Sequence, residues 1–220
     1  IDETIEKIGA YEINEELEID ETTQKNEFEP TWVLSPYVPI EFGSEAFVDQ
    51  INDIGNSNVG IYVNQWRGQS FIVGTGINSL SKIRTKLRKI GTPVGNFVVD
   101  LYLANGTGKP TGSVLASASM LATDISTTAT IYDFIFNTPI SPSTRYVFVC
   151  KADSCPNSAN CINVYYSGAN PYANGMYCAS TNNGASWSQS APTDIHFIEY
   201  SQFLGDIKRP GRLDLSMKLY

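Results

Sequence analysis

FVVDLYL, at residues 97–103, decides the fold class together with IYDFIF at 131–136 and YVFVC at 146–150. All three segments are short and rich in β-branched and aromatic residues, which favour strands. Turn-forming residues separate them, in NGTGKP at 105–110 and TPISP at 138–142. Many short strands with turn signals between them predict an all-β sandwich or barrel with antiparallel sheets.

The same pattern of short apolar segments separated by turn residues extends over residues 44–201 and predicts ten strands. They cover about 59–64, 69–73, 80–89, 96–103, 113–119, 130–136, 145–151, 161–166, 175–180 and 194–200. Period-two spacing places Phe97, Val99, Leu101 and Leu103 on one core face and Tyr132, Phe134 and Phe136 on another. We also expect Trp187 to be at least partly buried.

The charge divides the chain into a sandwich domain with two flanking segments. Residues 1–30 hold eleven acidic side chains and two lysines, whereas the remaining residues carry twelve acidic and thirteen basic side chains. We therefore predict an acidic N-terminal arm (1–43), a β-sandwich domain (44–201) and a linker with a C-terminal strand (202–220). The acidity argues against nucleic acid as a partner. No apolar run approaches the ~18 residues that a membrane span requires.

Both terminal segments contain a strand with one apolar face, which indicates assembly through sheet edges. A row of cations also alternates with apolar residues along one predicted strand. This row is either a solvated sheet face or the electrostatic partner of the acidic arm. The candidate assembly residues are Tyr11, Ile13, Leu17, Ile19, Lys82, Arg84, Lys86, Arg88, Leu213 and Leu215.

Four cysteines lie within one short window, at positions 150, 155, 161 and 178. An even, clustered set in a β-rich chain predicts two disulfides and an oxidising location, with reduced structural thiols as the alternative. We predict the pairs Cys155–Cys161 and Cys150–Cys178. Zinc is disfavoured because the spacings contain no CxxC pair and His196 is the single histidine.

Catalytic constellations are not evident in the sequence. Asp194 and His196 are expected on the same strand face, but no Gly-x-Ser-x-Gly elbow supplies a nucleophile. Acidic residues of the sandwich domain are scattered rather than paired, which disfavours glycoside hydrolysis. We therefore expect no enzyme activity and no cofactor. A calcium site at Asp153, Asn157 or Asp194 is an open alternative, but no metal site is assigned because the sequence contains no EF-type loop and no dense cluster of aspartates.

Aromatic and amide side chains concentrate in the cysteine-rich third of the chain. Flat rings that stack on sugars, with amides that bind hydroxyl groups, would make this region a glycan site. The alternative is that the rings fill the core and the asparagines serve turns. The candidate glycan-binding residues are Tyr165, Tyr166, Tyr172, Asn174, Asn183 and Trp187.

A succession of weak motifs carries a family resemblance over about residues 60–200. The motifs are GQSF (68–71), KIRTKL (82–87), GKPTGSVLA (108–116), PSTRYVF (142–148), NPYANG (170–175), NGASW (183–187) and DIHF (194–197). In this order they resemble β-sandwich accessory modules of phage tail, fibre and capsid-associated proteins and of prokaryotic surface proteins. The resemblance implies a jelly-roll-like sandwich similar to carbohydrate-binding modules, without enzyme activity.

Together these features predict a non-enzymatic structural protein of a virion or an extracellular surface structure. Its partners would be further copies of itself or other subunits, joined through the terminal strands. The alternative is a carbohydrate-binding or adhesion module that recognises surface glycans. Either function implies an extracellular or virion-surface location.

Overall fold

The computed structural model of the protein describes residues 46–202, which form an all-β structure. Thirteen strands are connected by turns, and one short 3-10 helix spans Ala122–Asp124. The strands are β1 (Phe47–Asn52), β2 (Ser57–Ile61), β3 (Trp66–Ile72), β4 (Ser79–Ile90), β5 (Val94–Ala104), β6 (Pro110–Leu121), β7 (Thr130–Pro139), β8 (Arg145–Ser154), β9 (Cys161–Ser167), β10 (Met176–Ser180), β11 (Ser188–Ser190), β12 (Asp194–Ile195) and β13 (Phe197–Gln202).

The strands form two antiparallel sheets that pack face to face, as the sequence predicted. In the six-stranded sheet the order is β11-β10-β3-β8-β5-β6. In the seven-stranded sheet the order is β1-β13-β4-β9-β12, with β2 added to β9 and β7 added to β4. Strand β4 is the centre of this sheet because it pairs with β7, β13 and β9.

The core between the sheets is built on aromatic rings. Phe97 and Phe134 come from opposite sheets, and their ring centres lie 5.7 Å apart. Phe148 and Phe197 meet across the same interface at 5.6 Å. All four side chains are almost completely buried. Tilted ring pairs of this kind add stabilisation beyond the area that they bury.

The predicted core faces are confirmed except at one end. Phe97, Val99 and Leu101 are fully buried, and Tyr132 and Phe136 pack partly buried against the core. Leu103 is 41% exposed instead. The register between β5 and β6 shifts between Leu101 and Leu103, so the regular pairing that holds along the buried part of β5 is interrupted next to this side chain.

Strand β1 was not predicted, for a physical reason. Its register against β13 shifts between Val48 and Gln50, which leaves Asp49 in a bulge and interrupts the alternation of apolar side chains. The Asp49 carboxylate instead accepts a hydrogen bond from the backbone N–H of Gly74 at 2.9 Å. The acidic arm and the C-terminal strand, including the assembly residues Tyr11, Ile13, Leu17, Ile19, Leu213 and Leu215, lie outside the described residues.

Candidate binding face on the six-stranded sheet

The outer face of the six-stranded sheet carries a second, smaller apolar cluster. Val147, Val149 and Cys178 are buried there, separate from the main core. Four partly buried side chains cover them: Trp66, Tyr102, Ala104 and Trp187. A sheet face with partly buried aromatic rings above a buried apolar floor differs from the polar, solvated face that is common in antiparallel sheets.

The floor of this face is flat because Gly68 lies in its centre. Strand register places Gly68 between Val149 of β8 and Cys178 of β10. A Cβ atom at Gly68 would lie 2.8 Å from the sulfur of Cys178 and 3.2 Å from the Phe148 carbonyl oxygen. These contacts are too close for any side chain at this position.

Two tryptophans stand at one end of the floor. The ring centres of Trp66 and Trp187 lie 6.5 Å apart, with an angle of 53° between the planes. Gly184 fits beside both rings, since a Cβ there would lie 2.7 Å from Cζ3 of Trp66 and 3.6 Å from Cζ2 of Trp187. Its φ of +83° also favours glycine.

Hydrogen bonds within the loop before β11 hold Trp187 in place. The hydroxyl oxygen of Ser180 accepts from the Gly184 N–H at 2.8 Å. The side-chain oxygen of Asn182 accepts from the Ser186 N–H at 2.9 Å. Such side-chain-to-backbone bonds fix the turn locally, so that the ring of Trp187 is positioned by its own loop.

Polar groups line the same face next to the tryptophans. The Nζ atom of Lys151 lies 2.5 Å from Oδ2 of Asp100 and 5.2 Å from the centre of the Trp66 ring. Oδ1 of Asp100 accepts a hydrogen bond from the Ser117 hydroxyl at 2.7 Å. Burial, and then the charge of Asp100, raises the pKa of Tyr102. The face therefore combines aromatic surface with a fixed ion pair and hydroxyl groups.

The structure brings together two of the six predicted glycan residues. Trp187 and Asn183 belong to the loop beside Trp66, and the Asn183 N–H donates to the Asn64 carbonyl at 3.3 Å. Tyr165 lies on the outer face of the other sheet, with Nζ of Lys86 4.9 Å from its ring centre.

The remaining three candidates lie elsewhere. Tyr166 packs against Tyr177 at 6.4 Å, and the Asn174 carbonyl accepts from Arg145 at 2.8 Å. The prediction that Tyr172 binds glycan is corrected, because its side chain is buried in the core. Its hydroxyl donates to Gln50 at 2.7 Å, and burial raises its pKa to about 12.

Sequence reasoning missed Trp66, Tyr102, Asp100 and Lys151. They come from three strands, β3, β5 and β8, which are far apart in the sequence and adjacent only in the sheet. One available signal was the alternation within FVVDLYL, where Asp100 and Tyr102 occupy the face opposite the core residues. No sequence signal linked that face to Trp66.

Both predicted disulfides are corrected by the structure, in which all four cysteines are buried free thiols within the described range. Cys150 belongs to the core between the sheets, whereas Cys178 belongs to the outer cluster. Strand β3 separates them, so no bridge can form without moving the backbone. The Cys161 thiol donates to the Ser158 carbonyl at 3.3 Å instead of pairing with Cys155.

The predicted cationic row is present on the outer face of the seven-stranded sheet. Lys82 and Arg84 both pair with Asp133 of β7, at 2.8 Å and 2.6 Å. The hydrogen bond from Arg84 is the main reason that the pKa of Asp133 falls to about 2. Lys86 and Arg88 continue the row toward β9. Asp133 therefore supplies counter-charge to Lys82 and Arg84 from within the sheet itself.

Asp194 and His196 do not form a catalytic pair, the arrangement that their spacing in the sequence had suggested. The buried Asp194 carboxylate accepts from Nε2 of Gln69 at 2.8 Å and from the Tyr172 N–H at 3.1 Å. His196 follows a break between β12 and β13, and its backbone N–H donates to the Tyr165 carbonyl. Burial lowers the pKa of His196, which favours the neutral imidazole.

Two further features concern residues 46–202 alone. No helix among them is long and apolar enough to cross a membrane. No group of three or more His, Cys, Asp or Glu side chains in this range is arranged to hold a metal ion.

Comparison with solved structures identifies similar folds. One is the structure of the cysteine protease and lectin-like domains of Cwp84, a surface layer associated protein of Clostridium difficile. It has a TM-score of 0.50 and 11% identity, over 71% of this chain and 36% of that chain. The second is the clostridial cysteine protease Cwp84 after propeptide cleavage, with a TM-score of 0.51 and 12% identity, over 71% of this chain and 40% of that one.

The shared property is the fold. At these identities the similarity establishes a related β-sandwich and nothing about activity. The protein spans about two fifths of the length of either Cwp84 chain. No protein-family model matches the sequence, and no curated protein matches it.

Proposed function

We propose that this protein is a non-enzymatic carbohydrate-binding module of an extracellular or particle surface, with the outer face of the six-stranded sheet as its binding face. The observation that carries the proposal is the pairing of Trp66 and Trp187 at 6.5 Å beside the Lys151–Asp100 ion pair. The similarity to a chain that contains a lectin-like domain supports the same class of function.

The chemistry of the face suits a sugar. A pyranose ring has an apolar C–H face that packs on an aromatic ring, and a rim of hydroxyl groups that need hydrogen-bonding partners. The partly buried rings of Trp66 and Trp187 supply the first, and for the second Lys151 supplies a donor and the Ser117 hydroxyl oxygen an acceptor. Ligand sites combine apolar surface with a few fixed polar groups in this way.

The titratable groups support binding rather than catalysis. Burial raises the pKa of Cys178 to about 12 and raises that of Cys150 as well, which keeps both thiols protonated. A thiol must ionise to act as a nucleophile. The buried Asp194 carboxylate is occupied by internal hydrogen bonds. These properties favour a module that binds its ligand unchanged.

A second candidate is assembly through sheet edges. Strands β6 and β7 carry exposed aliphatic side chains, among them Leu121 and Ile135, each more than half exposed. Exposed apolar edge strands invite pairing with another chain. In this function the subunits of a virion or surface structure would join through the terminal strands, and a concentration-dependent increase in mass by light scattering would support it.

Binding to immobilised and soluble glycans tests the first proposal. The protein is screened against a glycan array and then titrated with the polysaccharide that gives the strongest signal. We expect Trp187→Ala to weaken binding at least ten-fold, by roughly 1.4 kcal/mol. Tyr165→Ala is the matched control, because it removes an aromatic ring from the opposite sheet. Equal affinity of the wild type and Trp187→Ala would refute the assigned face.

A further inference from the structure

An apolar cleft opens where the two sheets meet along their β6 and β7 edges. Its volume is about 440 Å³. Leu103, Leu115 and Tyr146 line it from the six-stranded sheet, the two leucines at 41% and 47% exposure, and Pro139 at the end of β7 and the following Ile140 line it from the other side. This volume is comparable to that of a small-molecule site, and its lining is mostly aliphatic.

The two strands beside the cleft are sheet edges. Within residues 46–202, β6 pairs only with β5 and β7 pairs only with β4. One side of β7 therefore has no strand partner in the described range. Its outward side chains Ile131 and Ile135 are about half exposed. Backbone N–H and C=O groups along such an edge are available to an added strand.

The chain leaves the described region at the same end of the sheet. Gln202 pairs with Ser79, which in turn pairs with Pro139, a residue that lines the cleft. Two strand spacings separate Gln202 from Pro139, or about 10 Å. Strands β13 and β7 are both antiparallel to β4 and flank it, so they run in the same direction and end at the same end of the sheet.

The sequence after Gln202 provides a strand of suitable pattern and length. Residues 212–220 (RLDLSMKLY) alternate strictly, with Leu213, Leu215, Met217 and Leu219 on one face. The nine residues 203–211 precede them and can span up to roughly 30 Å. That reach is sufficient to cross β4 and β7. A segment that returns from this end of the sheet would run antiparallel to β7.

We propose that residues 212–220 of the same chain add as an antiparallel strand to the edge of β7 that has no strand partner within residues 46–202, and fill the cleft. Backbone hydrogen bonds to β7 hold the segment, and its Leu and Met side chains cover Leu103 and Leu115. Asp214, Ser216 and Lys218 face solvent. The proposal is independent of carbohydrate binding, because the cleft and the tryptophans lie on different parts of the sandwich.

Hydrogen exchange of the full chain tests the proposal. The informative signals are the β7 amides that point away from β4, which exchange rapidly on a free edge and slowly beneath an added strand. We expect these amides in the wild type to be protected roughly ten-fold or more relative to the Leu215→Asp variant. Core amides of β8 report in each sample that the sandwich remains folded.

Matched variants decide the outcome. Ser216→Asp introduces the same charge one residue away, on the opposite face, and should leave β7 protected. Leu115→Asp changes the cleft wall at an exposed position and should remove the protection as Leu215→Asp does. Unprotected β7 amides in the wild type, or protection that survives Leu215→Asp, would overturn the proposal. Protection that disappears on dilution would assign the strand to a second copy and also overturn it.

Discussion

Lys151 reaches from β8 to the carboxylate of Asp100 on β5, and the Asp100 side chain is only 2% exposed. Removing the ammonium group leaves a buried carboxylate that has lost its counter-charge but keeps the hydrogen bond from the Ser117 hydroxyl. We expect Lys151→Ala to lower the free energy of unfolding by about 1–3 kcal/mol. Urea denaturation measures this loss.

Lys82→Ala is the control for this prediction. Its partner Asp133 is 33% exposed and keeps its bond to Arg84, so the loss should stay below about 1 kcal/mol. Equal losses in the two variants would show that Lys151 does not compensate a buried charge.

Phe134 and Ile135 are neighbours on β7 with opposite environments, at 2% and 54% exposure. Phe134→Ala should lower the free energy of unfolding by about 3–5 kcal/mol, because it opens a cavity beside Phe97. Ile135→Ala should cost much less, since most of its side chain remains in contact with water. Thermal and urea unfolding compare the two. A small effect of Phe134→Ala would contradict the assigned core face.

Glu199 makes stability depend on pH. It is completely buried, and desolvation raises its pKa from 4.5 to about 8. Between these values the folded protein holds a proton that the unfolded chain has released, so stability falls as the pH rises through this window. We expect Glu199→Gln to match the wild type near pH 4 and to exceed it near pH 9, by on the order of a few kcal/mol.

Unfolding by urea at several pH values measures the effect of Glu199→Gln. Asp153→Asn is the control, because this carboxylate lies on the exposed surface and its removal should leave the shape of the profile unchanged. Parallel profiles for Glu199→Gln and the wild type would show that the carboxyl group does not retain its proton in the fold.

The cysteines offer a direct test of the corrected disulfide assignment. All four are buried thiols. We expect no alkylation of the native protein and alkylation of all four side chains after unfolding without reductant, as counted by mass spectrometry. Fewer than four modified side chains after unfolding would restore at least one of the bridges.

Strand positions were predictable because turns and alternation are local properties. The predicted strands at 80–89, 96–103 and 145–151 each fall within an observed one. Strand β1 was not predicted because the bulge at Asp49 interrupts the alternation of its apolar and polar side chains. Leu103 was assigned to the core because no local signal shows that β6 departs from register beside it.

The binding face was far less predictable, since it depends on which strands become neighbours. Tyr165 and Tyr177 are close in sequence, but their strands belong to different sheets. Trp66 and Trp187 are distant in sequence and lie in contact. Likewise, Cys150 and Cys178 lie on opposite faces of the six-stranded sheet. Their short separation in the sequence does not reveal this, because it does not determine how the two strands are aligned.

The indole N–H signals of the three tryptophans provide the most direct test of the proposed binding face. They are followed by heteronuclear NMR during titration with a polysaccharide that the protein binds, with assignments from Trp66→Phe and Trp187→Phe. We predict that the signals of Trp66 and Trp187 shift together and saturate at the ligand concentration that saturates binding. Saturated binding with both signals unmoved would contradict the account.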